Sequence, residues 1–188
     1  MRFVARVSNA ILGVEKTVIT ALAGILLVLI LLNVATRAAG AAIFWGDELA
    51  IYTMVWMTLI GASAMVRMRA GVAVTLVTDL LPPSARRVVQ RVADAALLFF
   101  AVTLLILCWR WYDPIALFES GFDFDAFAQE TFKFIYAEPT STIGIRKFWV
   151  WLAVPLMATA MTIHAVANLL ERSRTDTSAA GIGAGPGA

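Results

Sequence analysis

The chain has 188 residues, 61% of them hydrophobic and 15% charged, with a mean hydropathy of +0.82. So little polar surface cannot cover a water-soluble globule, and the chain belongs in lipid. The net charge of +2 sums loops of opposite sign and gives no support for nucleic-acid binding, while the single cysteine, Cys108, excludes an intrachain disulfide and a cysteine metal site.

Four uncharged runs stand out: Thr17 to Thr36 (20 residues), Leu49 to Val66 (18), Ala95 to Trp109 (15) and Phe148 to Leu170 (23). About 20 apolar residues cross a hydrocarbon core of about 30 Å, so three of the runs qualify directly. The third lengthens if Val88, Val89 and Val92 continue its helix while Arg91 snorkels toward headgroups and Trp109 and Trp111 mark the far interface. The expected fold is an all-α membrane protein: one domain over 1–172 with four transmembrane helices at 17–36, 49–66, 88–111 and 148–170, then a disordered cytoplasmic tail over 173–188.

Residues 1–16 read as an interfacial lead-in to the first span. Arg2 and Arg6 resemble the start of a signal peptide, but the apolar run is too long and Arg37 follows it, so the span is read as retained. Glu15 and Lys16 fall at the membrane boundary and read as anchoring charges. Asn33, near the far end of the span, reads as a packing or partner contact rather than a substrate ligand. Arg37 lies ten residues before Asp47 and eleven before Glu48. A short hairpin brings the three to one interface, either as an ion-pair network or as three separately solvated charges.

The second span starts with Trp45 at headgroup level and two acids in its first turn, where the helix dipole favours them. Glu48, Tyr52, Trp56 and Ser63 fall along one face that looks built to meet protein, and Gly61-Ala62-Ser63-Ala64 is a thin patch for close helix approach. Arg67 closes the span. Residues 72–81 read as a short amphipathic segment on the cytoplasmic surface, ended by Pro82-Pro83. Ser84 is the expected N-cap of the third helix, and Arg86, Arg87 and Arg91 in its first turns read as contacts to anionic lipid.

Between the third and fourth spans, 123–136 has Phe124, Phe127, Ala128, Thr131 and Ile135 at helical spacing. This reads as a periplasmic amphipathic helix with one face in the headgroups, or else as a docking surface for a soluble partner. The fourth span has Trp149 and Trp151 at its interface and an expected kink at Pro155. His164, the one histidine, reads as a surface or packing residue. Arg and Lys number ten on the side of the termini and five on the other, which places both termini in the cytoplasm by the positive-inside rule.

A lone histidine cannot ligate haem in pairs, which disfavours a membrane anchor subunit of a redox enzyme. A small homodimeric exporter needs a membrane-embedded acid, for which Glu48 is the nearest candidate. An autonomous carrier needs ionisable groups near the midplane, and none falls there. Four helices of this kind read as a subunit supporting another, with no catalytic, cofactor or metal residues of its own.

Asn33-Val34 with Arg37, then Trp45, Asp47-Glu48-Leu49, Trp56, Gly61-Ala62 and Arg67, resemble the pattern of the small membrane subunit (Q-type, DctQ-like) of TRAP transporters, the tripartite ATP-independent periplasmic systems. The resemblance extends over all four spans, including Gly144 and the Pro155 region. It implies a non-enzymatic scaffold in a bacterial inner membrane, bound to a large membrane subunit (M-type) that carries the sodium and substrate sites. A periplasmic substrate-binding protein (P-type) would deliver an organic acid. By the same resemblance Arg37, Trp45, Glu48, Trp56, Gly61 and Arg67 are structural or intersubunit residues; the reading of the residues themselves adds Asn33, Asp47 and Tyr52 to that set and places Arg86, Arg87, Arg91, Trp109, Trp111, Trp149 and Trp151 against membrane lipids. Ala38 departs from the pattern, standing where the family often has an aromatic.

Overall fold

The computed structural model describes residues 2–69 and 81–182. The expected cytoplasmic surface segment, apart from its last residue, and the end of the tail lie outside the described residues. Helices follow in the order α1 (Arg2–Ala38), α2 (Phe44–Met68), α3 (Pro83–Tyr112), α4 (Pro114–Glu119), α5 (Phe124–Thr131), α6 (Lys147–Trp151) and α7 (Ala153–Ile182). Among the described residues, four stretches are long and apolar enough to cross a membrane: Phe3–Ala38, Phe44–Met68, Ser84–Glu119 and Lys147–Arg172.

The helix ends follow local chemistry. α1 runs without a break from the lead-in through the first span and stops at a Schellman turn: Gly40 at φ 73 donates to the Arg37 carbonyl, and Ala41 to that of Thr36. α3 begins one residue before the expected Ser84, because Pro82 takes the cap and Pro83 the first helical position, where a missing N–H costs nothing. Asp113 ends α3 in the left-handed region and starts α4, its side chain accepting from the Ala116 N–H at 3.4 Å. The interruption of the last span falls at Leu152, between α6 and α7. Pro155 explains it, since it has no N–H for the Trp151 carbonyl and its ring crowds that group. α7 then continues to Ile182, past the point where disorder was expected from composition. Ala, Ser and Thr there offer no breaker before Gly181.

The last span is the centre. α7 packs on α2 and α3 and also touches α1, while α1 packs chiefly on α2. Met157 and Met161 of α7 meet Ala101 and Leu104 of α3 and Leu59, Ala62 and Val66 of α2. The thin patch at Ala62 to Ala64 thus receives helices of the same chain, with Ser63 and Ala64 fully buried. Within the membrane-length stretches, 44% of the last is covered by protein but only 6% of the first.

The expected helix over 123–136 is present only as the shorter α5, Phe124–Thr131. α4, α5 and the loop that follows fold into a small cap with its own core of Leu117, Phe127, Ile135 and Tyr136, against which Tyr112, Phe124 and Phe148 pack. Asp123 sets the start of the helix and Phe132 its early end. Asp123 caps α5, accepting from the N–H groups of Asp125 and Ala126 at 3.0 and 3.1 Å, and Phe132 adopts the left-handed conformation after Thr131. Tyr136 is surrounded by four rings and donates to the Tyr112 carbonyl at 2.7 Å. Burial pushes its phenol above the ordinary range, with the Asp113 charge adding to the shift.

Candidate functional site

Polar side chains gather at the two ends of the bundle. Glu15 and Arg37 on α1 are 22 residues apart (37 − 15), about 33 Å along a helix, slightly more than a hydrocarbon core of about 30 Å. The two therefore stand at opposite ends of the bundle.

At the cap end, Arg37 pairs with Asp47, and the Asn33 amide donates to the same carboxylate. The hairpin joins these three residues but leaves Glu48 out. Glu48 points to a different partner, the tip of a hairpin-like loop closed by a bridge between Pro139 and Arg146, with Gly144 at φ 78. One carboxylate oxygen accepts from the Ser141 N–H and the Tyr52 hydroxyl, both at 2.7 Å. The other accepts from the Thr142 N–H at 2.6 Å, the Thr142 hydroxyl at 2.5 Å and the Ile143 N–H at 3.0 Å. No cation is among these five donors; a carboxylate held so is fixed by dipoles alone. Trp56 donates its indole N–H to the Val150 carbonyl at 2.8 Å, and the Tyr112 hydroxyl donates to Phe148 O at 2.9 Å. Both acceptors lie on α6, just ahead of the Leu152 break. The α2 face expected to meet protein thus meets the loop and last span of its own chain.

At the opposite end Arg67 is the hub, its side chain 9% exposed. Its guanidinium donates to Asn9 Oδ1 from Nε at 3.0 Å and from Nη2 at 2.8 Å, and to Asn168 Oδ1 at 2.8 Å. Glu171 takes a two-pronged pair at 2.8 and 2.9 Å. The planar fork of arginine suits such divergent acceptors in a way that a lysine ammonium does not. Asn168 returns a bond to the Val66 carbonyl at 2.7 Å, and Arg69 donates to the Asn168 carbonyl at 2.7 Å. Arg172 reaches Asp94 of α3 at 3.2 Å. All four long helices are tied here.

Beside this hub, Ser8, Glu15 and His164 are buried together. The Ser8 hydroxyl lies 2.6 Å from His164 Nδ1, and the Glu15 carboxylate 3.1 Å from Nε2. Glu15 is therefore not a solvated anchor and His164 is not on the surface; they are an interior pair linking α1 to α7. The arrangement resembles a hydrolase triad in composition alone. Serine and acid sit on the opposite ring nitrogens, and no member of the set reaches solvent, so a substrate cannot approach. Among the described residues no group of His, Cys, Asp or Glu is placed to hold a metal ion.

The sequence reading missed Ser8, Asn9, Asp94, Asn168, Glu171 and Arg172. A signal for half of them exists: His164, Asn168, Glu171 and Arg172 recur at helical spacing along one side of the last turns of an otherwise apolar span. Of the residues assigned to lipid, Arg86, Arg87, Arg91, Trp109, Trp111, Trp149 and Trp151 are all on exposed positions. Gly61 has open space around it, and Trp45 is half exposed.

Four membrane-length helices fastened to one another at both ends by their own polar groups define a multi-pass membrane protein, with no catalytic constellation among the described residues. Residues 26–175 match the family described as tripartite ATP-independent periplasmic transporters, DctQ component. The chain is also similar to the C4-dicarboxylate TRAP transporter small permease protein DctQ of Vibrio cholerae serotype O1, 27% identical over 122 residues, which is 64% of this chain and 53% of that protein. It thus spans about half the length of that relative. With the family match covering most of its length, the chain belongs to the DctQ family, the small permease component of TRAP transporters, and is not an enzyme.

Proposed function

We propose that this chain is a scaffold subunit in a bacterial inner membrane, with both termini and the Arg67 hub in the cytoplasm and the cap on the periplasmic side. Its charge asymmetry, ten basic residues against five, supports that orientation. Its partner is the large TRAP membrane subunit, which carries the sodium and substrate sites. A periplasmic binding protein delivers the solute, an organic acid as the name of the Vibrio relative suggests.

One observation carries this reading. The polar groups at both ends bond within the chain, while only 6% of the membrane-length window of the first stretch and 11% of that of the third is buried. A helix in lipid gains nothing by burying apolar surface as such, so a rigid body with an open flank fits a companion that packs there. The Arg37–Asp47 pair, with side chains 61% and 49% exposed, lies at the end of that flank and remains the best intersubunit candidate among the charges.

The test is co-expression with the large subunit followed by affinity purification and uptake in proteoliposomes. The two should co-purify, a sodium gradient should drive carboxylate uptake only with both present, and Arg37→Ala should lower complex yield more than membrane insertion. Robust uptake by this chain alone would overturn the reading.

A further inference from the structure

Two phenylalanines bracket α5, and both lie in the left-handed region, Phe122 at φ 63 and Phe132 at φ 56. Glycine takes such positions without steric cost, whereas a bulky side chain there is uncommon. Phe132 closes α5 with its N–H on the Ala128 carbonyl, where a glycine would ordinarily end the helix. The cap core does not explain these rings. Phe132 is 81% exposed and Phe122 59%, and the ring meeting Phe122 edge-on is Phe118, itself 72% exposed. The apolar side of α5 is already used, with Phe127 and Ala128 buried beneath the cap. Three exposed rings, two on strained backbone, mark a surface with an occupant.

The path of the chain says which occupant. Trp109 and Trp111 end the third span at headgroup level. α4 begins two residues after Tyr112, and its six residues reach about 9 Å, comparable with a headgroup layer of about 5–8 Å per side. Phe118 and Phe122 therefore stay close to that layer. The stretch 114–132 has no Lys or Arg and contains Glu119, Asp123, Asp125 and Glu130, and Lys133, which follows it, is paired with Asp113, so the contact offered to the headgroups is apolar.

We propose that Phe118, Phe122 and Phe132 form an aromatic anchor that seats the cap in the zwitterionic headgroup layer at its end of the bundle. The lipid-facing surface is then the rim of α5 and not its apolar stripe. The cap is held as interfacial aromatics are held, by rings that suit the boundary between hydrocarbon and water.

The experiment uses the full chain in nanodiscs of phosphatidylethanolamine with a small fraction of phosphatidylglycerol. In a Cys108→Ala background, Phe132→Cys is labelled with an environment-sensitive fluorophore and compared with Glu130→Cys on the same cap. The label at 132 should be at least roughly threefold less quenched by iodide than the label at 130, and strongly quenched by lipid carrying a nitroxide near the headgroup. Raising the phosphatidylglycerol fraction should weaken that lipid quenching, and salt should not abolish it. Equal iodide access at 130 and 132 overturns the proposal. So does protection at 132 that appears only when other transporter components are added, which assigns the rings to protein docking. If Phe132→Cys does not fold, Phe118→Cys carries the same comparison and the same outcomes.

Discussion

Replacing Arg67 by alanine removes two hydrogen bonds to Asn9, one to Asn168 and two to Glu171. These losses differ in weight. Glu171, with its side chain 44% exposed, regains water, so its pair contributes about 0.5–1 kcal/mol. Asn9 is exposed and its oxygen is also rehydrated. Asn168 is buried, and stranding its side-chain oxygen costs about 1–3 kcal/mol. The sum is about 3 kcal/mol, roughly a hundredfold in the ratio of folded to unfolded chain. Arg67→Lys keeps the charge but reaches one partner at a time, so it should fall between parent and alanine. The measurement is equilibrium unfolding of the full chain in mild detergent titrated with sodium dodecyl sulfate, followed by far-ultraviolet circular dichroism. A change of less than about 0.5 kcal/mol for Arg67→Ala, the range of an ordinary surface substitution, would refute the assignment of Arg67 as the hub of the bundle.

Three further outcomes are expected. His164→Ala should destabilise by about 3 kcal/mol or more in the same titration, because it leaves the Glu15 carboxylate buried without its partner; Glu15→Gln, which keeps a neutral hydrogen-bonding group, should cost clearly less. Tyr136→Phe loses the bond to the Tyr112 carbonyl and should lower stability by about 1 kcal/mol. The same phenol gives a pH dependence: the folded state holds its proton to higher pH than the unfolded state, which releases it near 10. Cap stability should therefore be full below about pH 10 and fall above it, and Tyr136→Phe should flatten that fall, as read by proteolysis of the cap at alkaline pH. Glu48→Gln puts an amide N–H₂ against a set made wholly of donors, so the Ser141–Ile143 loop should detach. Hydrogen exchange at those amides should rise severalfold while the bundle signal is unchanged, and unaltered exchange would contradict the tether.

The spans were legible because lipid imposes one rule, a run of apolar residues about as long as the bilayer is thick, and composition displays it directly. The break near Pro155 was legible for a similar reason: its chemistry acts within a turn of its own position. Partnerships across the sequence were not. Trp56 with Val150 and Arg67 with Asn168 are 94 and 101 residues apart, and nothing local to either residue names the other. Glu48 shows the limit most clearly. Its position beside Asp47 left open either a network with Arg37 or a solvated charge, but a loop of backbone amides almost a hundred residues away binds it instead. The cap was misread because phenylalanines at helical spacing fit one long helix as well as a short helix folded onto its own core, and Asp123 and Phe132 decide between them through caps that periodicity does not register.

One consequence of the central last span concerns the birth of the protein. Glu15, Glu48, Trp56, Arg67, Asp94 and Tyr112 all find partners between residues 141 and 172, the stretch a ribosome makes after the first three spans. Until that stretch emerges, three hydrophobic helices wait in the bilayer with their fasteners open. A chain stopped before residue 141 would hold Arg67 only through Asn9 and Glu48 only through Tyr52, and would leave Glu15, Trp56, Asp94 and Tyr112 without these partners.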